Sequence, residues 1–215
     1  MTAPSAATRT TGRWLAGFAV AVIVGHHVGT IAKPLGTVGA TEWADWVDLL
    51  TPYAVVGTAL LVLLRSGADR ATWLLAAVGT VVYVQGHGLH LAANSIGNAR
   101  GDAAPVHLWD EVIGHYVWYG GLYLLLWALG RALPVVPRGP WAWPLAALLG
   151  LTLATNGIEG GTPLLTLAVS LALAGWGLRR RDPLLVLAPG LTVLLLCGWG
   201  LYWQGFPQFS ELGWI

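Results

Sequence analysis

The chain has 215 residues, of which 56% are hydrophobic and 10% charged, with a formal net charge of +1. A water-soluble domain carries about 25% charged residues, so a soluble globular fold is excluded. No basic stripe is present, which removes nucleic acid as a partner. The remaining class is an all-α integral membrane protein: a multi-pass protein of the cell membrane, folded as one polytopic membrane domain over residues 1–215.

Seven apolar runs are predicted as membrane-spanning helices: 14–32, 47–64, 71–96, 107–129, 141–158, 164–178 and 184–203. A spanning helix needs about 17–25 apolar residues, and the sixth run is short by that measure. The first run is longer than the roughly 7–15 apolar residues of a signal peptide and contains His26 and His27, so it is read as a retained helix. Arg65 to Arg70 separates the second run from the third, and a flexible connection from Gly97 to Pro105 separates the third from the fourth. Pro134, Pro137 and Pro140 precede the fifth; Gly160-Gly161-Thr162-Pro163 turns the chain into the sixth, and Arg179 to Pro183 closes it.

Basic residues orient this seven-helix bundle. With the N-terminus in the cytoplasm, Arg9, Arg13, Arg65, Arg70, Arg131, Arg138, Arg179, Arg180 and Arg181 fall inside, and only Lys33 and Arg100 fall outside. That sorting follows the positive-inside rule and places the C-terminus outside. Tryptophans near helix ends, such as Trp14, Trp43, Trp141 and Trp203, form the expected aromatic belt.

The same orientation places all six histidines in the outer half. At about 100° per residue, His87, His90 and Asn94 share roughly 60° of one helix face, and His107, Glu111 and His115 share roughly 80° of another. Ionisable groups in a bilayer cost several kcal/mol unless paired, and by default they mark a functional site. Glu42 and Asp45 read instead as a helix start after Thr41, and Glu159 as a solvated acid at a turn.

Histidines and carboxylates on facing helices form a metal-ligand arrangement. With imidazole and carboxylate donors and no thiolate, Zn or Fe is the expected divalent ion. The candidate metal ligands are His87, His90 and His115, with His26 and His107 in reserve and Glu111 as a further ligand. Glu111 and Asp110 are the candidate catalytic acid–base groups, and Asn94 is expected to fix a ring tautomer from behind. The implied activity is that of a metal-dependent hydrolase or oxidoreductase working on a membrane lipid or another small apolar substrate at the outer leaflet.

Two other readings fit the same residues. His26 or His115 opposite His87 or His90 can ligate haem b, with Gly25, Gly86, Gly88 and Gly114 leaving room for the macrocycle. The histidine and acid set also suits a proton or metal-ion transporter. The only lysine, Lys33, lies between runs, so no helix offers a Schiff-base amine. Cys197 is alone, which excludes a disulfide framework or a thiolate cluster. Nothing in the sequence sets an oligomeric state.

Overall fold

Apolar periodicity becomes helix nearly everywhere it was predicted. The computed structural model describes residues 6–101, 103–133 and 140–214. Pro134, Pro137 and Arg138 lie outside the described residues. The helices are α1 (Ala6–Gly25), α2 (Val28–Ala32), α3 (Trp43–Asp48), α4 (Thr51–Ser66), α5 (Arg70–Arg100), α6 (Ala104–His107), α7 (His115–Ala132), α8 (Ala142–Glu159), α9 (Pro163–Arg180) and α10 (Pro183–Trp203). A 3₁₀ turn at Lys33–Leu35 and a π-helical segment at Leu108–Gly114 complete the helical part. Thr37–Val38 and Thr41–Glu42 pair as a small antiparallel hairpin, with Gly39 at φ +64° in its two-residue turn.

Four stretches are long and apolar enough to cross a membrane: Trp43–Ser66, Arg70–Arg100, Ala104–Ala132 and Pro183–Trp203. The N-terminal pair Thr10–Gly25 and Val28–Leu35 makes a fifth if its 59° bend is counted within one span. The sixth and fifth runs of the sequence reading, α9 and α8, are not in this set. Each has 18 residues, with Asn156 and Glu159 inside α8 and Arg179 and Arg180 inside α9.

Three predicted helices depart from regularity. The first run breaks at His26 and His27. The His26 ring donates from Nδ1 to the Val22 carbonyl (2.9 Å) and the His27 ring to that of Ile23 (2.7 Å). The Ile23 carbonyl would otherwise take the His27 amide, which turns to Val24 instead, so the α-ladder stops there. The second run breaks between Asp48 and Thr51, where Pro52 in the first turn of α4 has no N–H to continue a ladder. The π segment interrupts the fourth. In the other direction, the connection predicted from Gly97 to Pro105 is largely helical: α5 continues to Arg100, and Gly101 ends it at φ +93°.

The core lies between α1, α4, α5 and α7, where Phe18, Val22, Val55, Tyr83, Leu122 and Leu125 are buried. Glycine lets α5 and α7 meet backbone to backbone. A Cβ at Gly86 would fall on the Trp118 backbone, and one at Gly121 on that of Tyr83. Helix ends are tied by polar side chains. The Asp69 carboxylate caps α5 by accepting the Thr72 amide (2.7 Å), which holds its pKa below the usual carboxylate range. Arg131 near the end of α7 donates to Thr72 Oγ1 (3.2 Å), and Arg180 at the end of α9 donates to the Gly130 and Leu133 carbonyls (2.7 and 3.0 Å). At the far end of α8, Glu159 is a structural anchor rather than a solvated acid. It accepts the backbone amides of Phe209 (2.7 Å) and Ser210 (3.3 Å) and holds the segment after α10 in place.

Candidate functional site

Four of the six histidines gather around one indole, that of Trp118. His26 stacks on it from the break after α1 (ring centroids 4.8 Å, interplanar 17°). His90 on α5 also lies nearly parallel to it (5.1 Å, 24°), and so does His115 at the start of α7 (6.0 Å, 26°). His87 meets it edge-on at 4.8 Å. Trp118 can stand between these rings because Gly86 brings its backbone against α5. His27 points its Nδ1 back along α1 and is only half-buried.

Three of the rings carry a carboxylate each. His87 Nε2 lies 3.2 Å from Asp48 Oδ1, with both side chains buried. His90 Nδ1 lies 2.6 Å from Asp110 Oδ1, again a largely buried pair. His115 Nδ1 is 3.3 Å from Glu111 Oε2 and 3.2 Å from the Glu111 carbonyl. The His90 and His115 rings are themselves 4.5 Å apart. Each of these imidazoles therefore has a carboxylate within reach of a ring nitrogen. In two of the three pairs the acid stands on the Nδ1 side, so Nε2 points away from it. His26 has the same polarity: its Nδ1 is on Val22, and among the described residues its buried Nε2 has no hydrogen-bond partner.

The π segment decides which acids reach these rings. The wheel drawn from the sequence assumed about 100° per residue, but a π turn takes more residues than an α turn. The phase therefore slips between His107 and His115. Asp110 turns inward and is 6% exposed, Glu111 stays at the edge with its side chain 34% exposed, and His107 is exposed. Among the described residues Asn94 pairs with Asn98 (3.5 Å) rather than with a histidine. The clustered set is thus His26, His87, His90 and His115 with Asp48, Asp110 and Glu111. His107 is exposed at its edge, near Glu111, and Asn94 is bonded to Asn98.

Asp48 stands near the start of the second predicted run, and spacing along the chain gives it no partner. Its partner, 39 residues away, is set by packing of α3 against α5. Asp45 is the other half of that packing. It completes a capping box with Glu42 at the start of α3 and accepts Ser95 Oγ from α5 at 2.8 Å. The gap that Gly86 and Gly114 were expected to leave for a macrocycle is closed. The backbone of Trp118 occupies the first, and His90 Cα would lie 3.1 Å from a Cβ at the second.

Among the described residues, no group of three or more His, Cys, Asp or Glu side chains is disposed to hold a metal ion. The ionisable groups come as pairs. Compared with known proteins, the chain matches no family model, no curated protein and no solved structure.

Proposed function

We propose that the chain is a membrane enzyme that uses a divalent metal, zinc or iron, to work on a lipid or another apolar molecule. One observation carries this reading: His90 and His115, from two helices, lie 4.5 Å apart, and each is backed on Nδ1 by its own carboxylate. A ligating imidazole is held this way in metal sites, where the carboxylate fixes the tautomer and the other nitrogen faces the metal. Asp110 orients His90 from behind and Glu111 does the same for His115, so the two rings would hold the ion and its other positions are left to water or substrate. The ion would supply Lewis acidity or oxygen chemistry. The His87–Asp48 pair is the general base.

The proposed setting is a seven-helix bundle in the cell membrane, with the N-terminus in the cytoplasm and the cluster in the outer half. Support comes from the ties at the basic face: Arg131 with Thr72, and Arg180 with Gly130 and Leu133, bring the start of α5 and the ends of α7 and α9 to one side. At 1.5 Å per residue, the 18 residues of α8 and of α9 cover about 27 Å, close to the thickness of a bilayer core.

The test is elemental analysis and a visible spectrum of the full chain purified in detergent. About one equivalent of zinc or iron is expected, falling at least fivefold in His90→Ala and in His115→Ala and unchanged in Asn94→Ala. A protein free of metal overturns the reading, and a Soret band replaces it with haem b. A second reading rests on the three separate imidazole–carboxylate pairs, each able to share a proton. It predicts proton flux into liposomes from a metal-free protein.

A further inference from the structure

α4 and α5 are joined by a turn of three residues, Gly67 to Asp69, yet they do not close on each other along their lengths. Between them lies a groove of about 420 Å³. Pro52, Val56 and Gly57 form one wall and Val84, Gly88 and Leu91 the other, with His87 between the walls. The volume falls in the range of roughly 300–1,000 Å³ typical of small-molecule sites.

Shape and surroundings narrow the occupant. The lining residues recur at helical spacing along both helices, so the groove is elongated and follows the helix axes. From Pro52 to Leu60 it covers about 12 Å of α4 at 1.5 Å per residue. Both walls belong to stretches long and apolar enough to cross a membrane, so the medium outside the groove is hydrocarbon. Neither Gly57 nor Gly88 has any atom within 4 Å of where a Cβ would sit, so nothing in the protein fills the space above them. Two lining side chains are polar: Tyr53, which is exposed, and His87, which is buried and held by Asp48 at 3.2 Å.

We infer that this groove takes one hydrocarbon chain of a membrane lipid, entering sideways from the bilayer, and that the His87–Asp48 pair meets the hydroxyl or ester at the head of that chain. The inference rests on the proposed function and gives its substrate class: a molecule with a linear apolar chain and an oxygen-bearing head, presented from within the membrane rather than from water.

The full chain, reconstituted in lipid nanodiscs with phosphatidylcholine carrying a diazirine in one palmitoyl chain, is irradiated and its labelled peptides are mapped. Labelling is expected to concentrate on the 52–60 and 84–91 segments, at least fivefold over the exposed apolar face of α10 around Leu201. Gly88→Leu and Gly57→Leu place side chains in empty space, so each should cut the groove label at least fivefold. Metal content and melting temperature should stay at wild-type values. Equal labelling of the groove and of α10, or undiminished groove labelling in both variants, overturns the inference. Groove labelling in a protein without metal leaves it standing and removes the proposed catalytic reading, while metal without groove labelling does the reverse.

Discussion

The helices that bring ionisable groups together and the helices that follow them are built differently. α8, α9 and α10 run unbroken through 18, 18 and 21 residues, and their polar groups largely end on backbone or on a tail. Thr192 donates to the Gly150 carbonyl (2.9 Å), Arg180 to Gly130 and Leu133, and Glu159 accepts the amides of Phe209 and Ser210. In the first half, three of the four segments that supply the cluster are irregular at the residues they supply. α1 breaks at His26, α3 ends at Asp48, and the π segment carries Asp110 and Glu111. Non-helical backbone inside a bilayer is tolerated where it is buried in protein or lines a cavity. The second half therefore shows what packing alone requires, and the first shows what is added to aim charged side chains at one another.

The sharpest way to break this comparison is to prise apart α5 and α7. Gly121→Leu puts a side chain onto the Tyr83 backbone, and its cost should reach or pass the top of the roughly 1–3 kcal/mol range of core overpacking. The matched change Gly175→Leu on α9 enters open space and should leave folding unchanged. Thermal melting and monodispersity in detergent compare the two. Next in size is the loss of one partner of a buried imidazole–carboxylate pair. Asp48→Leu should cost about 1–3 kcal/mol, because a buried ring nitrogen of His87 is left without its partner, and the double variant Asp48→Leu, His87→Leu should recover most of it. If the double variant melts no higher than the single one, the pair is part of the scaffold and the distinction between the halves fails. The smallest effect belongs to the second half. Glu159→Gln weakens the hold on two amides and should cost about 1 kcal/mol, read as faster protease cleavage within residues 204–214 with little change in global melting.

Much of the cluster was legible because apolar runs make an ionisable side chain conspicuous. His26, His87, His90, His115, Asp110 and Glu111 all stand out against their neighbours, and the structure brings them together. Their partners were not legible. The wheel that put Glu111 on the inner face with His107 and His115 assumed constant pitch, and the π segment turns Asp110 inward and leaves Glu111 and His107 at the edge. Asn94 shares a face with His90 by spacing, yet it meets Asn98 one turn on. The bend at His26 and His27 has no proline or glycine pair to announce it, since it is made by two rings that turn back on their own helix. Glu159 reads as a wet acid until the tail that covers it is folded into place.

The π segment also fixes a registry. A π turn holds more residues than an α turn, so removing one residue between Leu108 and Gly114 would let the chain relax to ordinary pitch. Everything downstream would keep nearly its present phase against α5, because the residue lost, about 100°, is offset by the tighter pitch regained. Gly121 would still face Tyr83 and Trp118 would stay among the imidazoles, while Asp110 and Glu111, inside the segment, would be re-aimed. The surplus residue serves the acids alone, so a single-residue deletion here should part Asp110 from His90 and leave the seam between α5 and α7 intact.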